Sequence, residues 1–355
     1  MERDVRIKFF RIEKCGYYRR NTFEPSYGRK KNILNDLLAW IQDKSISETS
    51  TYDPGLEQDD NLLHTYCYGI RSDNGDFLLT TWNESPTTDG NVASIDLTGQ
   101  VDQAEVETSG VPEGYLPGYP SYFWFPKGKN VYATIQIHNS LNGRRNFEEF
   151  IKGYLQKCSS YVVLGEDDEG SECICGFSKT GRKNDIDKSR PSFKSSEFQK
   201  HQNIDFIKQN RLSITKLVRK DVLTSKYKEK LELWQALWRT VSGNNDARVR
   251  DSEHNVSFIA DFRPTEEELD QVINHWFNER ERDGSIGKFQ DTGFRLQGSS
   301  KTHWLSKALA SEMFPFDVEA TNPPIVDSES LLANLQRERR ILLALLKEPM
   351  YVEGD

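Results

Sequence analysis

Between Val131 and His138 the chain alternates without a break: Val131, Ala133, Ile135 and Ile137 fall on one side, Tyr132, Thr134, Gln136 and His138 on the other. Strict period-two alternation predicts a half-buried strand. The aromatic run Tyr122–Phe125 precedes it across the turn residues Pro126–Asn130, so the two predict an antiparallel hairpin at the centre of a sheet. Val5, Ile7 and Phe9 alternate with Arg6 and Lys8 in a first strand. Leu63–Ile70 and Phe77–Trp82 predict two more, joined through Asn74–Gly75, a pair that suits a hairpin turn because both residues tolerate positive φ. Two stripes of helical period lie among these strands. One is Ile33, Leu34, Leu37, Leu38 and Ile41; the other is Phe147, Phe150, Ile151, Tyr154 and Leu155. The Gly-, Pro- and acid-rich stretch Ser85–Gly118 reads as an excursion before the central hairpin.

The second half has its own pattern. Leu212, Ile214 and Val218 suggest a strand, and Tyr227, Leu231, Trp234 and Trp238 a helical stripe. Ser257–Phe262 is a strand, and Thr265 with Glu268 forms a capping box ahead of Leu269, Val272, Ile273, Trp276 and Phe277. Phe289–Gln297 returns as a strand, and Trp304, Leu305 and Leu309 suggest a helix. Leu331–Leu346 predicts a last helix. Its Leu331, Leu335, Leu342 and Leu346 are a candidate homodimer contact, with packing on the second domain as the alternative. The segment from Cys173 to Lys208 is basic and weakly patterned, and a domain junction near residue 178 falls within it. The expectation is an α+β fold: a mainly antiparallel sheet domain with helices over 1–178, and a smaller α/β domain over 179–355 carrying the Leu-rich helix.

Length changes little in this picture, since 355 residues suffice for two domains. No apolar run approaches the roughly 20 residues that span a bilayer, and the start lacks the apolar core of a signal peptide. A cytoplasmic location is expected. Cys15, Cys67, Cys158, Cys173 and Cys175 are odd in number, and Cys173–Cys175 is Cys-x-Cys rather than the Cys-x-x-Cys of zinc and redox sites. Reduced thiols and no zinc are expected.

Charge changes more. The net charge of −8 argues against a uniformly basic nucleic-acid binder, but the signs are segregated. Residues 1–31 hold ten Lys or Arg against four acids, residues 43–113 two against fifteen, and residues 174–230 fifteen against six. Such a chain can be acidic overall and still offer a basic face; mutual neutralisation in the fold is the bland alternative. The basic clusters are Arg19–Arg20, Arg29–Lys30–Lys31, Arg144–Arg145, Lys179/Arg182/Lys183 and Lys216/Arg219/Lys220. All lie in loops or at element ends, where cations suit phosphate contacts that position without reading sequence.

Catalytic signatures are sparse. There is no Gly-x-Ser-x-Gly, no Walker loop and no Gly-x-Gly-x-x-Gly, and none of the six His has the His-Glu-x-x-His spacing. Asp59–Asp60, residues 166–169 and Glu266–Glu267–Glu268 could in principle hold magnesium. They keep open the alternative of a metal-dependent nuclease or other hydrolase of a prokaryotic immune system. No catalytic residue, metal ligand or cofactor is otherwise assigned.

The order of elements resembles the RexA phage-exclusion family of lambdoid prophages. The likeness is carried by Gly28-Arg29-Lys30-Lys31 leading into Asn32–Ala39, by Asp76–Thr81 in the strand pair, and by the Gly-x-Pro-Ser-aromatic strand Gly118–Phe125. The helix Asn146–Leu155 and the strand–Pro–helix–strand unit Phe258–Phe294 complete it. The Ser85–Gly118 excursion and the Leu-rich helix depart from the family. The resemblance implies a cytoplasmic, dimeric, non-enzymatic protein that binds double-stranded DNA in antiphage defence and acts with a small membrane effector protein. Arg29, Lys30 and Lys31 match the family's basic loop, and no catalytic residue carries over.

Overall fold

In the computed structural model the alternating hairpin takes the centre of a nine-stranded antiparallel sheet. The structure describes residues 2–56, 62–86, 93–108, 110–137, 143–167, 170–198, 201–222, 255–283, 291–299, 301–308, 310–319 and 325–346. His138, the stripe Tyr227–Trp238, Asp59–Asp60, Asp168 and Glu169 lie outside them.

The strands run β1 (Glu2–Tyr18), β2 (Thr65–Asp73), β3 (Asp76–Glu84), β4 (Ser94–Asp96), β5 (Val106–Glu107), β6 (Tyr115–Phe125) and β7 (Val131–Ile137). They continue with β8 (Val162–Glu166), β9 (Glu172–Ser178), β10 (Ile186–Asp187), β11 (Arg190–Glu197), β12 (Ile214–Val222), β13 (Asn255–Asp261), β14 (Asp291–Leu296), β15 (Thr302–Trp304) and β16 (Ser311–Asp317). The α-helices are α1 (Lys30–Trp40), α2 (Arg144–Gly153), α3 (His201–Gln209), α4 (Glu266–Asp283), α5 (Ser328–Arg337) and α6 (Arg339–Ala344). This is the α+β class that the two periodicities predict.

The large sheet has the order β11-β1-β7-β6-β3-β2. β16 pairs with the first half of β1, from Glu2 to Lys8, and β11 with the second, from Phe10 to Tyr18. β4 extends β6 at its start and carries β5, so the acidic excursion is partly strand. Asn74 and Gly75 have φ of 51° and 86°, which makes the tight β2–β3 turn possible.

The central strands of the sheet are buried on both faces. On one face Phe10, Ile12, Tyr17, Phe123 and Tyr132 pack against Ile33, Leu34 and Leu37 of α1 and Phe147, Phe150 and Ile151 of α2. Phe123 stacks on Phe147 at 4.2 Å between ring centroids, a contact worth about 0.5–1.5 kcal/mol beyond its burial. The other face meets the C-terminal segment: Val326 N–H donates to Tyr122 Oη at 2.8 Å, and Thr80 and Ser328 hydroxyls meet at 3.4 Å. Trp124 on that face donates to the buried Asp76 carboxylate. The half-buried strand expected at Val131–Ile137 is therefore buried on both sides, with Tyr132 and Thr134 inside as well.

Two compact units divide the chain at a different place from the expected junction. One is Met1–Phe198 with Ser311–Ala344; the other includes Gln199–Ala310. The reason is hydrogen bonding: β11 and β16 both pair with β1, so the basic segment after residue 178 and the C-terminal segment belong to the first unit. In the second unit the sheet order is β13-β12-β14-β15. Leu217, Phe294 and Phe262 pack against Leu269, Val272, Ile273 and Trp276 of α4 and Ile204 and Ile207 of α3. The capping box at the start of α4 is closed: Thr265 N–H donates to Glu268 at 2.8 Å and Glu268 N–H to Thr265 Oγ1 at 3.2 Å. Trp304 ends a strand and Leu305 begins a short 3-10 turn, where a helix was expected. No helix among the described residues is long and apolar enough to cross a membrane.

The Leu-rich segment is two helices, α5 and α6, divided at Glu338. Leu331, Leu335 and Leu342 are fully buried within the first unit, so they are core residues and not a free dimer stripe. Leu335→Ala is expected to cost about 2–5 kcal/mol, read by urea denaturation, and to leave the light-scattering mass of the native protein unchanged. A drop in mass without loss of stability would restore the helix as an interface.

Candidate nucleic-acid interface

A bulge in β1 sets the geometry of a basic strip. Ile12 pairs with Ser195 and Lys14 with Lys194, so Glu13 is the extra residue. Before it, Phe10 and Ile12 face the helices; after it, Cys15 and Tyr17 do. Without the extra residue, period-two alternation would turn Cys15 and Tyr17 outward. The bulge therefore leaves Arg11, Lys14 and Tyr18 on the outer face, opposite Ser196, Lys194 and Arg190 of β11. Arg11, Arg190 and Lys194 are exposed and Lys14 is partly so. Lys14 Nζ stands 5.1 Å from the Tyr18 ring and the Arg11 guanidinium 5.2 Å from that of Phe198. These aromatic faces attract cations and orient them. Lys14 and Lys194 remain directly opposite one another, an arrangement that opposes pairing of the strands.

Two further segments adjoin this strip. Gly16 has φ of +126°, and a Cβ there would lie 2.4 Å from the Gly28 carbonyl oxygen. Glycine thus lets the loop after β1 fold back, with Tyr17 N–H donating to Tyr27 O and Ser26 N–H to Tyr17 O. The fold-back sets Lys30 against the β6–β7 turn, where its ammonium donates to the carbonyls of Pro126 (3.0 Å) and Lys129. Asn130 at the end of that turn bonds Ile12 through both its side chain and its backbone. Lys127 and Lys129 are exposed on the turn.

The residues expected to touch DNA divide accordingly. Arg29, Lys31, Arg20, Arg145, Lys179, Arg182 and Lys183 are exposed. Arg19 is exposed and lies 3.6 Å from Asp187, next to Tyr18, the partner of Arg190. Arg29 is 3.5 Å from Glu24 in a loose, solvated pair, which costs a phosphate contact little to break. Three residues are corrections. Lys30 is turned onto backbone carbonyls, because the last turn of the hairpin leaves those oxygens facing it. Arg144 donates to Glu148 at 2.8 Å and to the Ser195 carbonyl, with its guanidinium 4.6 Å from the Phe10 ring, so it ties α2 to the sheet. Arg219 is buried, since alternation along β12 puts it on the same face as Leu217, the face packed by α3 and α4. In the second unit Lys216 pairs with Asp261 at 2.6 Å, and Lys220 Nζ lies 4.3 Å over the Trp304 ring. Arg11, Lys14, Lys127, Lys129, Arg190 and Lys194 were missed by the sequence reading. Lys194 stands on a strand whose pairing spans 180 residues, and no local period marks it.

Two carboxylates, Glu148 and Glu197, lie beside the edge strand β11, each with its own partners. Glu148 Oε1 accepts from Arg144, from the Ser195 hydroxyl at 2.5 Å and from Tyr132 at 3.3 Å, and Glu197 is ion-paired with Lys8. These contacts pin β11 to β1 and α2. Among the described residues no group of three or more His, Cys, Asp or Glu is placed to hold a metal ion. The Cys15 thiol is pushed up to about 12 by burial, opposed by the Lys30 charge, which makes it a packing residue rather than a nucleophile.

Burial also lowers the Lys30 ammonium, to about 8, against the pull of Cys15 and Asp76. An unfolded lysine titrates near about 10.4. Between these values the unfolded chain binds more protons, so this group makes stability rise with pH across that window. Lys30→Met removes the titration. Its unfolding free energy, compared with that of the parent protein, is expected to lose this rise between pH 8 and 10; an equal slope in both assigns the effect to other groups.

No family model, no curated protein and no solved structure matches this chain.

Proposed function

We propose that this chain binds double-stranded DNA with little sequence preference and serves as the DNA-recognising component of a phage-exclusion system. The observation that carries the reading is the cross-strand pair Lys14–Lys194, flanked by Arg11 and Arg190 on one face of β1–β11. Like charges opposed across strands weaken the pairing, and a polyanion laid over them reverses the sign of that term. The five residues from Arg190 to Lys194 span about 13 Å of strand, a length over which duplex DNA carries roughly eight charges. Arg29, Lys127 and Lys129 on the segments beside β1, and Arg19 and Arg20 after Tyr18, are further exposed cations. Flexible cations on a strand surface meet phosphates without entering a groove, which accounts for the lack of sequence preference. The defence role, a homodimer, a cytoplasmic site of action and signalling to a small membrane effector come from the likeness to the RexA family.

Replacing Lys14 and Lys194 together by Ala tests this. The fold should keep its stability to within about 0.5 kcal/mol per site, as surface changes usually do. Affinity for a 20-base-pair duplex should fall for every sequence, and the slope of log K against log salt should shrink by about 1.8, two contacts' worth. Anisotropy titrations at several salt concentrations read both quantities. An unchanged affinity and slope in the folded variant would remove the strip from the interface. Magnesium-dependent cleavage of the duplex, abolished by EDTA and by Glu197→Gln, would favour the hydrolase instead.

A further inference from the structure

We propose that the second unit binds single-stranded nucleic acid on the face of its four-stranded sheet opposite α3 and α4. The strand registers build this face in rows. Ile259, Val218, Gly293 and Trp304 are successive cross-strand partners on β13, β12, β14 and β15. On one side of that row run Asp261, Lys216, Arg295 and Thr302; on the other run Ser257, Lys220 and Asp291. An apolar row with an indole at its end is thus bracketed by three cations and two acids.

The Trp304 ring is placed by a glycine. A Cβ at Gly293 would lie 2.9 Å from the indole and 2.7 Å from the Thr302 methyl, so any side chain there would lift the ring off the sheet. Lys220 Nζ sits 4.3 Å from the ring centroid, and Lys220 is exposed while Trp304 is partly so. Ile259 is 50% exposed at the other end of the row, and Val218 between them is buried. Arg295 is held by a hydrogen bond from Nε to Thr302 Oγ1 at 3.0 Å. The two acids on this face are engaged. Asp261 pairs with Lys216, and Asp291 accepts from Thr292 N–H, Ser306 N–H and the Ser306 hydroxyl.

An unstacked base offers an apolar face to an indole and a phosphate to each neighbouring cation. A duplex hides its base faces and offers phosphates only. Stacking on aromatic side chains within a basic surface is the chemistry that selects single strands. The bracketing rows carry three cations against two acids, a small positive excess that favours a nucleic acid over an apolar peptide. This site uses different residues from the β1–β11 strip and stands independently of it.

The test uses the full chain and a fluorescein-labelled 15-nucleotide oligo-dT. The parent protein should bind it at low salt. Trp304→Ala should weaken binding about tenfold, within the range that losing one stacked base produces, and Trp304→Phe should retain most of it. Neither should alter affinity for the 20-base-pair duplex. Lys216→Glu with Lys220→Glu, which leaves the core untouched, should abolish oligo-dT binding and serves if Trp304→Ala fails to fold. Absence of oligo-dT binding by the parent protein overturns the proposal. So does equal affinity of the parent and the folded Trp304→Ala or Lys216/Lys220 variants. Loss of oligo-dT binding in the Lys14/Lys194 variant alone also overturns it, and transfers the single strand to the first unit. Loss of duplex binding in that variant with oligo-dT binding kept would leave both readings standing.

Discussion

The first unit depends on one strand keeping apolar side chains in the core along its length. β1 has seventeen residues and pairs with β7 on one edge and with both β16 and β11 on the other. Three segments far apart in the chain can share it only if its apolar side chains keep facing the core past Ile12. The bulge at Glu13 provides this by shifting the alternation one residue, so that Phe10 and Ile12 before it and Cys15 and Tyr17 after it enter the same cluster. The same shift leaves Lys14 beside Lys194. Core packing and surface charge are thus two consequences of one extra residue.

The charge on that surface is unfavourable to the fold itself. Cross-strand lysines repel, and the exposed ion pair that touches the loop, Arg29–Glu24, is worth little in water. The protein's other charged groups behave differently. Arg144 and Lys8 are drawn into a partly buried network with Glu148 and Glu197, and Lys30 is spent on backbone carbonyls. A cation absorbed into packing is unavailable to a phosphate, whereas Lys14, Lys194, Arg190 and Arg11 hold their charge at the surface. That contrast separates structural cations from those suited to a polyanion.

The two units present cations in different settings. On β1–β11 they stand together on a twisted strand pair near an edge. In the second unit they border an apolar row that ends in an indole lying over glycine. The first suits a continuous line of phosphates and the second suits an unstacked base. A chain with a net charge of −8 can hold both because its acids concentrate in residues 43–113, away in sequence from either set.

Much of the fold was legible in the sequence because its signals are local. Alternation at Val5–Phe9 and Val131–Ile137, the Asn74–Gly75 turn, the apolar faces of α1, α2 and α4, and the Thr265–Glu268 box depend on neighbours a few residues away, and the structure contains them. The unit boundary and the role of the Leu-rich segment do not. Whether Leu331 and Leu335 meet a second copy or the chain's own sheet turns on what lies across from them, and Val326 on Tyr122 settles that only in three dimensions. The same holds for charge. The sequence by itself determined where Lys and Arg cluster. Tertiary structure alone decided that Lys30, Arg144 and Arg219 turn inward and that Lys14 meets Lys194, because burial and cross-strand register join residues that no local period connects.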